Sequence, residues 1–262
     1  MTHTPDRIAS LCHPPARRIA LRFVDETGST NLDLLSALPR LDGPTLLLAR
    51  SQTAGRGRAG RSWLSEPGKS LTFSLAWPFG RPVHGLVGLP LAVGVALAEA
   101  LASLSLDARL KWPNDLLADG RKLAGILIET AAGDGAAGRE SWAVIGIGIN
   151  LAMDAAMLAR IGRPAAGADW LLELDQDLLL ATLLNHLAEA MLLFEQRGLP
   201  AFTARWNARH AHAGREVVIL DNGSVLHEGR AAGIDDIGRL LLDTPRGRIA
   251  VMAGDVSLRP KE

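Results

Sequence analysis

The sequence predicts an α/β (α+β) protein, with a larger domain of strands and flanking helices followed by a small C-terminal β-barrel. Up to about residue 211, compact apolar runs typical of buried strands alternate with longer segments whose apolar residues recur at helical spacing. After His212 only short strand-like runs remain, which is typical of a compact barrel. With 262 residues, 48% of them hydrophobic, the chain can bury a sizeable core.

Composition excludes several classes of protein. The 28 Lys and Arg residues balance 28 Asp and Glu residues, whereas a dedicated nucleic-acid binder usually carries a basic excess. The single cysteine, Cys12, allows no intrachain disulfide and fits a reducing compartment. No apolar stretch runs uninterrupted for ~18 residues, and residues 1–18 lack the apolar middle of a secretory signal. We therefore predict a cytoplasmic protein without a membrane span.

The first part of the chain is predicted as an irregular lead-in over residues 1–18, then a strand over Ile19–Thr27. Thr30 is a candidate N-cap with Asp33 three residues later, which is close to a capping box. A short helix then runs to about Leu38.

The remainder of the larger domain, residues 19–211, alternates between strands, loops and helices. The further strands are predicted at Thr45–Arg50, Ser70–Trp77, Leu106–Trp112, Lys122–Thr130 and Trp142–Asn150. The further helices are predicted at Gly85–Leu104, Asp177–Arg197 and Ala201–Arg209. The Gly-rich or Pro-containing connections are Gln52–Lys69, the hairpin loop Ala131–Glu140, and Ala152–Trp170, which we expect to be mobile.

The C-terminal domain, residues 212–262, is predicted to contain four short strands. They are Arg215–Leu220, Val225–Ile234, Arg239–Asp243 and Arg248–Ala253. Asn222-Gly223 between the first two predicts a type I′ hairpin turn.

The loop Gln52–Trp63 combines alternating glycines with three arginines. Glycines let backbone amides approach a ligand closely, and arginines add planar, permanently charged forks. The combination suits an anionic ligand such as phosphate. A solvated flexible loop or an RNA-binding Gly/Arg tract would look the same in isolation. Trp63 and the strand after it anchor the loop to a core, which favours a binding site.

A second group of polar residues lies in Lys111–Leu116 and Lys122–Leu127. Pro113 turns the chain after Lys111, so that Asn114 and Asp115 lie on a turn where polar side chains can face a pocket. Lys122 then begins the next strand. Two lysines and a carboxylate near one strand end could hold a phosphate, a metal ion and a nucleophile; an ordinary hairpin with exposed charges is the alternative.

Two further motifs are less specific on their own. Ser29-Thr30-Asn31 at a helix start could bind a polar head group, but the same residues are the ordinary choice for N-capping. Gly146-Ile147-Gly148-Ile149-Asn150 places glycines in a strand, which indicates close approach of a ligand or another backbone, or else a bulged core strand. The sequence contains no P-loop, no dinucleotide fingerprint and no Gly-x-Ser-x-Gly elbow, which argues against those designs.

Taken in order, these five motifs resemble the bacterial biotin–protein ligase family, over roughly Ile19 to Arg259. The Leu258–Pro260 ending after a small β domain is also similar. The resemblance implies a mixed β-sheet catalytic domain of the class II aminoacyl-tRNA-synthetase/biotin ligase type, joined to an SH3-like barrel. It implies an enzyme that condenses biotin with ATP to biotinyl-5′-AMP, and then passes biotin to a lysine of a biotin carboxyl carrier protein, such as the acceptor domain of acetyl-CoA carboxylase. Mg²⁺ would accompany ATP.

The resemblance also assigns site residues by motif match. The biotin contacts would be Ser29, Thr30, Asn31, Gln52, Gly55, Arg56, Gly57, Arg58, Lys122 and Gly125. The ATP contacts would be Arg58, Arg61, Trp63, Lys111, Asn114, Lys122, Asn150 and Trp170. The catalytic residues would be Lys122, Lys111, Arg58 and Asp115, with Asp115 also the candidate Mg²⁺ ligand.

The residue chemistry agrees with this reaction. Biotin carboxylate and ATP are both anions, so their condensation needs cations that stabilise charge at the α-phosphate as it develops. Holding the carboxylate in line with phosphorus supplies the entropic contribution. Biotinyl-AMP is a reactive mixed anhydride, and a Gly-rich loop closing over it would exclude water.

Three rival interpretations remain at this point. A lipoate–protein ligase or octanoyl transferase shares the fold but carries an Arg-Arg-x-Ser-Gly-Gly-Gly-type segment that is absent here. A nonenzymatic Gly/Arg-loop RNA-binding protein is opposed by the neutral charge. A protein that only binds biotin would lack the lysine at position 122.

Some family members carry an N-terminal DNA-binding domain. About eighteen residues precede the first strand here, whereas a separate domain needs ~50, so we expect no DNA binding. The family includes monomers and sheet-edge homodimers, so the oligomeric state stays open.

Overall fold

The structure is a computed structural model that describes residues 3–135, 138–162, 164–221, 223–254 and 256–261. Seven strands form one mixed sheet in the order β1-β2-β3-β7-β6-β5-β4. They are β1 (Ala20–Thr27), β2 (Thr45–Gln52), β3 (Ser70–Phe79), β4 (Arg109–Lys111), β5 (Asp115–Ala118), β6 (Arg121–Ala132) and β7 (Ser141–Asn150). Only β1 and β2 pair in parallel, because a helix crosses between them; every other neighbouring pair is antiparallel.

Helices flank this sheet. They are α1 (Pro5–Leu11), α2 (Thr30–Ala37), α3 (Leu89–Ser103), α4 (Ala155–Ile161), α5 (Gln176–Arg197) and α6 (Pro200–Ala208). Helices α3 and α5 share a continuous core with one face of the sheet, and α3 is buried nearly all round. Helix α2 packs on the opposite face in a smaller apolar cluster. The central strands are therefore covered on both faces.

Two helical segments are long and apolar enough to cross a membrane by length and composition alone: Val83–Ser103, whose first turn is a 3₁₀ helix, and Gln176–Arg197. The predicted absence of a membrane span rested on uninterrupted apolar runs, and glycine, proline or charged residues interrupt both of these segments. Two thirds of each segment is buried inside the protein, as in the core helices of a globular domain.

Strand β3 carries the alternation that its sequence predicts. Leu71, Phe73 and Leu75 point into the core under α3 and α5. The alternate positions Thr72 and Ser74 face the other side and are also buried, which alternation alone does not predict. This second, polar face becomes the floor of the cleft described below.

The C-terminal domain is a five-stranded antiparallel sheet with strand order β11-β10-β9-β8-β12. Its strands are β8 (Glu216–Asp221), β9 (Ser224–Ile234), β10 (Leu240–Thr244), β11 (Gly247–Val251) and β12 (Val256–Pro260). The predicted small β domain is confirmed, and β12 is an additional strand. The type I′ turn predicted at Asn222-Gly223 involves Asn222, which lies outside the described residues.

Strand β4 forms backbone hydrogen bonds with the segment that leads into the second sheet. The Leu110 N–H of edge strand β4 donates to Arg209 O (2.8 Å), and the Ala211 N–H donates back to Leu110 O (2.8 Å). Trp112, almost fully buried, donates from Nε1 to Gly238 O of the C-terminal domain (3.0 Å). The segment that leads into the second domain therefore covers an edge of the first.

Several predicted elements differ from the structure. The irregular lead-in is wrong, because α1 forms there and Ile8 is fully buried in the core. Ser29, not Thr30, occupies the N-cap of α2, and it makes no side-chain capping bond. Of the strand predicted at Leu106–Trp112, only Arg109–Lys111 is strand (β4). An additional short strand, β5, follows the turn after it. The segment Ala152–Trp170 contains α4 instead of lacking regular structure.

Candidate active site

A cleft of about 670 Å³ opens on the polar face of the seven-stranded sheet, under the loop that follows β2. It is called the inner cleft here. Residues that line it include Ser29, Thr30, Asn31, Gln52, Arg56, Gly57, Arg58, Arg61, Trp63, Asn114, Asp115, Lys122 and Gly125. The structure thus brings most of the predicted site residues, from four separate parts of the sequence, to one cavity.

One end of the inner cleft is a network of neutral polar side chains. Gln52 Oε1 accepts from the Thr30 backbone N–H (2.8 Å) and lies 3.0 Å from Thr30 Oγ1. Thr30 Oγ1 also lies 2.7 Å from Ser74 Oγ, and the Ser74 hydroxyl donates to Asn31 Oδ1 (2.5 Å). Because α2 begins at Thr30, these side chains are fixed between the helix start and strand β3.

Glycines make room for this end and for the middle of the cleft. A Cβ on Gly146 would overlap the Asn31 side chain, and a Cβ on Gly148 would overlap the Trp63 ring. Gly125, beside Gly148 in the sheet register, lies under the same ring. The glycines of this strand were expected to mark close approach of a ligand or another backbone; in the structure the groups that approach them are the side chains of Asn31 and Trp63, which line the cleft.

Lys122 lies at the other end of the inner cleft. Its Nζ is 2.5 Å from Asp115 Oδ1, and both side chains are 18% exposed. The antiparallel register of β5 with β6 pairs Asp115 with Gly125, which brings the carboxylate back alongside Lys122. The ammonium also lies 5.8 Å from the centre of the Trp63 ring, at a cation–π distance. The lysine is therefore preoriented toward the cavity by a carboxylate and a ring.

The Gly/Arg loop crosses the cleft and is tied down at both sides. Arg56 Nη1 donates to Glu129 Oε1 of β6 (3.1 Å). Arg58 Nη1 donates to Asn114 Oδ1 (3.1 Å), and its Nη2 donates to Gly254 O of the C-terminal domain. Glycine is required at position 55, since a Cβ there would overlap the Trp63 carbonyl oxygen.

The cleft continues outward into a second space of about 1160 Å³, called the outer cleft here. The two spaces share Arg61, Ser62, Trp63 and Lys122. Four of the residues that line the outer cleft are cationic: Arg61, Lys122, Arg160 and Arg259. A cationic space adjoining Lys122 is suited to a polyphosphate.

A chain of ion pairs holds α4 against the end of the Gly/Arg loop, at the rim of the outer cleft. Lys69 Nζ lies 2.7 Å from both Glu66 Oε2 and Asp154 Oδ2, and Glu66 also pairs with Arg160. Hydrogen bonds to Asp154 and Glu66 raise the pKa of Lys69, and the bond from Lys69 lowers the pKa of Asp154. Asp154 also caps α4 by accepting from the Met157 N–H (2.8 Å).

Some predicted residues lie elsewhere. Gly55 supports the loop without lining the cavity, and Asn150 lines the outer cleft, with its Nδ2 donating to Lys122 O (3.1 Å). Neither Lys111 nor Trp170 lines the inner or the outer cleft as the structure describes them, and Trp170 is 38% exposed.

Other members of the site belong to no sequence motif. Thr72 and Ser74 lie within strand β3. Their alternation with Leu71 and Phe73 in the sequence indicates that one face of this strand is polar. Glu129 accepts hydrogen bonds from Asn31 Nδ2 (2.9 Å) and Arg56, and no motif pointed to it.

A buried pair of imidazoles lies outside the cleft, at the junction of the two domains. The His210 ring packs at a tilt against Trp206, with ring centres 4.7 Å apart, and lies 6.3 Å from the His212 ring. Burial, with a smaller contribution from His212, lowers the pKa of His210 to about 4. Burial and the nearby Lys111 and Arg215 lower the pKa of His212 to about 4.

Comparison with known proteins gives the same family for both domains. Residues 21–150 match the Biotin/lipoate A/B protein ligase family, and residues 212–259 match the Biotin protein ligase C terminal domain. The chain is 36% identical over 241 residues to the bifunctional ligase/repressor BirA of Escherichia coli, covering 89% of this chain and 72% of that protein. It is 35% identical over 251 residues to the biotin–[acetyl-CoA-carboxylase] ligase of Mycobacterium tuberculosis, covering 90% of this chain and 88% of that protein.

The solved structure of biotin protein ligase from Aquifex aeolicus in complex with biotin and ATP superposes with a TM-score of 0.77 at 27% identity. That match covers 92% of this chain and 99% of the Aquifex chain. The chain belongs to the biotin/lipoate A/B protein ligase family.

Proposed function

We propose that the chain is a biotin–protein ligase. It condenses biotin with ATP to give biotinyl-5′-AMP and pyrophosphate, and then transfers biotin to a lysine of a biotin carboxyl carrier protein, the acceptor domain of acetyl-CoA carboxylase or a similar enzyme. The observation that carries the proposal is one continuous cleft with a neutral polar end, a lysine in the middle and a cationic outer space.

The neutral end of the inner cleft fits the ureido group of biotin. A ureido group has one carbonyl acceptor and two N–H donors, and it carries no charge. Thr30, Asn31 and Gln52 offer hydroxyl and amide groups that can both donate and accept. This polarity also separates biotin from lipoate, whose dithiolane ring offers no comparable donors or acceptors.

Lys122 supports the first chemical step. The carboxylate oxygen of biotin attacks the α-phosphorus of ATP, and pyrophosphate leaves. The Lys122 ammonium lies where the inner and outer clefts meet, so it can hold the carboxylate and stabilise negative charge on the α-phosphate. Its partner Asp115 keeps it oriented until the anions arrive.

In the second step, the acceptor amine attacks the acyl carbon and AMP leaves. We assign Arg58 to retention of the biotinyl-AMP intermediate. Its guanidinium links the Gly/Arg loop, which covers the cleft, to Asn114 and to Gly254 of the C-terminal domain. Excluding water protects the mixed anhydride until an acceptor docks.

A magnesium ion fits this site as a companion of ATP. The described residues contain no group of three His, Cys, Asp or Glu side chains that could hold a metal ion by themselves. Mg²⁺ is commonly held by one or two carboxylates together with substrate phosphates, and Asp115 is the carboxylate in the cleft that could serve. Bound there, the ion would neutralise phosphate charge.

The test is incubation of the full chain with biotin, Mg-ATP and an acceptor domain, with the mass of the acceptor read by spectrometry. We expect a gain of one biotinyl group on the acceptor lysine, and none without ATP. A gain with lipoate and none with biotin would transfer the assignment to the lipoate branch. A cytoplasmic location and the absence of DNA binding stay predictions, the latter testable by a gel shift with operator DNA.

A further inference from the structure

Thr72 lies midway along the floor of the inner cleft. Strand β3 pairs with β7 so that Ser70, Thr72 and Ser74 stand opposite Asn150, Gly148 and Gly146, and all face the cleft side of the sheet. Ser74 belongs to the neutral polar end, and Ser70 lies toward the outer cleft, opposite Asn150. Thr72 is 4% exposed and lines the inner cleft between them.

Thr72 differs from both neighbours in its hydrogen bonding. Ser74 Oγ contacts Thr30 and Asn31, and Ser70 Oγ contacts the Glu66 backbone. Among the described residues, Thr72 Oγ1 is buried without any hydrogen-bond partner. A valine would fill the same volume without leaving a buried hydroxyl unpaired, and such unpaired groups destabilise a fold. The unpaired hydroxyl therefore indicates a ligand atom.

A second unpaired polar atom faces the same place. Trp63 Nε1 is also buried without a partner among the described residues. A Cβ on Gly148 would lie 2.6 Å from this nitrogen, and Gly148 pairs directly with Thr72. The middle of the inner cleft therefore has a hydroxyl and an indole N–H whose polar partner is still to bind.

The chemistry of biotin identifies the partner, if the proposed function holds. Two residues along a strand advance by roughly 7 Å, so Thr72 lies beyond the ureido end and before the carboxylate at Lys122. Between these two groups, biotin has a single heteroatom, the thioether sulfur of its ring. A thioether sulfur is a weak hydrogen-bond acceptor. We propose that the Thr72 hydroxyl donates to the ring sulfur and so sets the preference for biotin over its sulfur-free analogue, desthiobiotin.

The test compares Thr72→Val with the unaltered full chain by titration calorimetry, using biotin and desthiobiotin as probes. Because Val keeps the shape and removes the hydroxyl, we expect biotin affinity to fall about three- to tenfold while desthiobiotin affinity stays unchanged. Without ligand, the melting temperature should be unchanged or higher, because an unpaired buried hydroxyl has been removed. A structural role for the hydroxyl predicts the opposite change in melting temperature.

Two further variants keep the proposal falsifiable. Thr72→Ser retains the hydroxyl and should retain the preference for biotin, whereas Thr72→Ala should lose it. Equal weakening of both probes, or of neither, would overturn the sulfur contact, as would a lower melting temperature for Thr72→Val without ligand. Failure of the unaltered chain to bind either probe would refute the proposed function itself and is thus distinguishable.

Discussion

Lys122 lies where the inner and the outer cleft meet. It lines both the inner and the outer cleft and is held by Asp115 and the Trp63 ring. For Lys122→Ala we expect the rate of adenylate formation to fall by about 10²–10³-fold, since one charge-stabilising donor is lost. The rate is read from pyrophosphate release in a single turnover. The neighbouring Arg121→Ala is the control, because Arg121 is exposed and lines neither cleft. A decrease in this rate of less than about tenfold would show that Lys122 does not stabilise the transition state of adenylate formation.

We predict that Arg58 acts in retention of the intermediate more than in its formation. Its guanidinium connects the covering loop to Asn114 and Gly254. We expect Arg58→Gly to form biotinyl-AMP but release it, so that bystander proteins become labelled at their lysines. Labelling of a bystander such as serum albumin is read by streptavidin blot. Ala59→Gly is the matched control: it adds the same backbone freedom at a position where φ is +53°, and it keeps the guanidinium. Equal leakage from both variants would assign retention to loop stiffness.

At the residue scale, sequence analysis located the site where a motif sets the spacing. Lys122, Asp115 and Gln52 were found because they lie in motifs that glycines or prolines make recognisable in the sequence. Thr72 and Glu129 could not be found in this way, because they are single polar positions within strands. They belong to the site only because the Gly/Arg loop covers the same face of the sheet, and the position of this loop depends on tertiary packing.

Strand β7 shows how an element determines the width of the cleft. Its glycines stand where the Asn31 side chain and the Trp63 ring cross the sheet. We expect Gly148→Ala to displace the Trp63 ring and weaken biotin binding at least about tenfold, because the neighbouring atoms include the rigid indole. Titration calorimetry measures this. Gly43→Ala, where a Cβ meets nothing within 4 Å, should bind normally. Normal binding by Gly148→Ala would show that the ring moves freely.

The elements that sequence analysis predicted well are long and strongly periodic, such as α5 and the β6–β7 hairpin. Those it missed are short. Strands β5 and β12 contain four and five residues, and they are defined by pairing with other strands: β4 and β6 for β5, and β8 for β12. Helix α1 forms because its apolar residue Ile8 is buried in the core shared with α5, which the lead-in sequence alone does not reveal.

At the scale of the whole molecule, the buried imidazoles make stability depend on pH. The pKa of His210 and of His212 falls from 6.5 to about 4 on folding, so the folded protein keeps both rings neutral where the unfolded chain binds protons. The free energy of unfolding is therefore undiminished above about pH 6.5. It decreases toward pH 4, by up to about 1.4 kcal/mol per pH unit for each ring.

Urea unfolding at about pH 7 and about pH 5 measures this dependence. The double variant His210→Phe, His212→Leu should flatten it, since neither replacement binds a proton. His84→Gln serves as the control, because His84 is exposed and should leave the slope as it is. An unchanged slope in the double variant would place the acid sensitivity elsewhere.

The position of Trp63 also gives the protein an intrinsic optical reporter. The chain contains six tryptophans and no tyrosine, so its near-ultraviolet emission comes from indoles alone. Four of them, Trp77, Trp112, Trp142 and Trp206, are buried in the fold, and Trp170 lies away from both clefts. Trp63 lines the cleft itself, with Lys122 beside its ring. Substrate entry should therefore change the emission of a single indole, so that binding and release can be followed in real time without an attached dye.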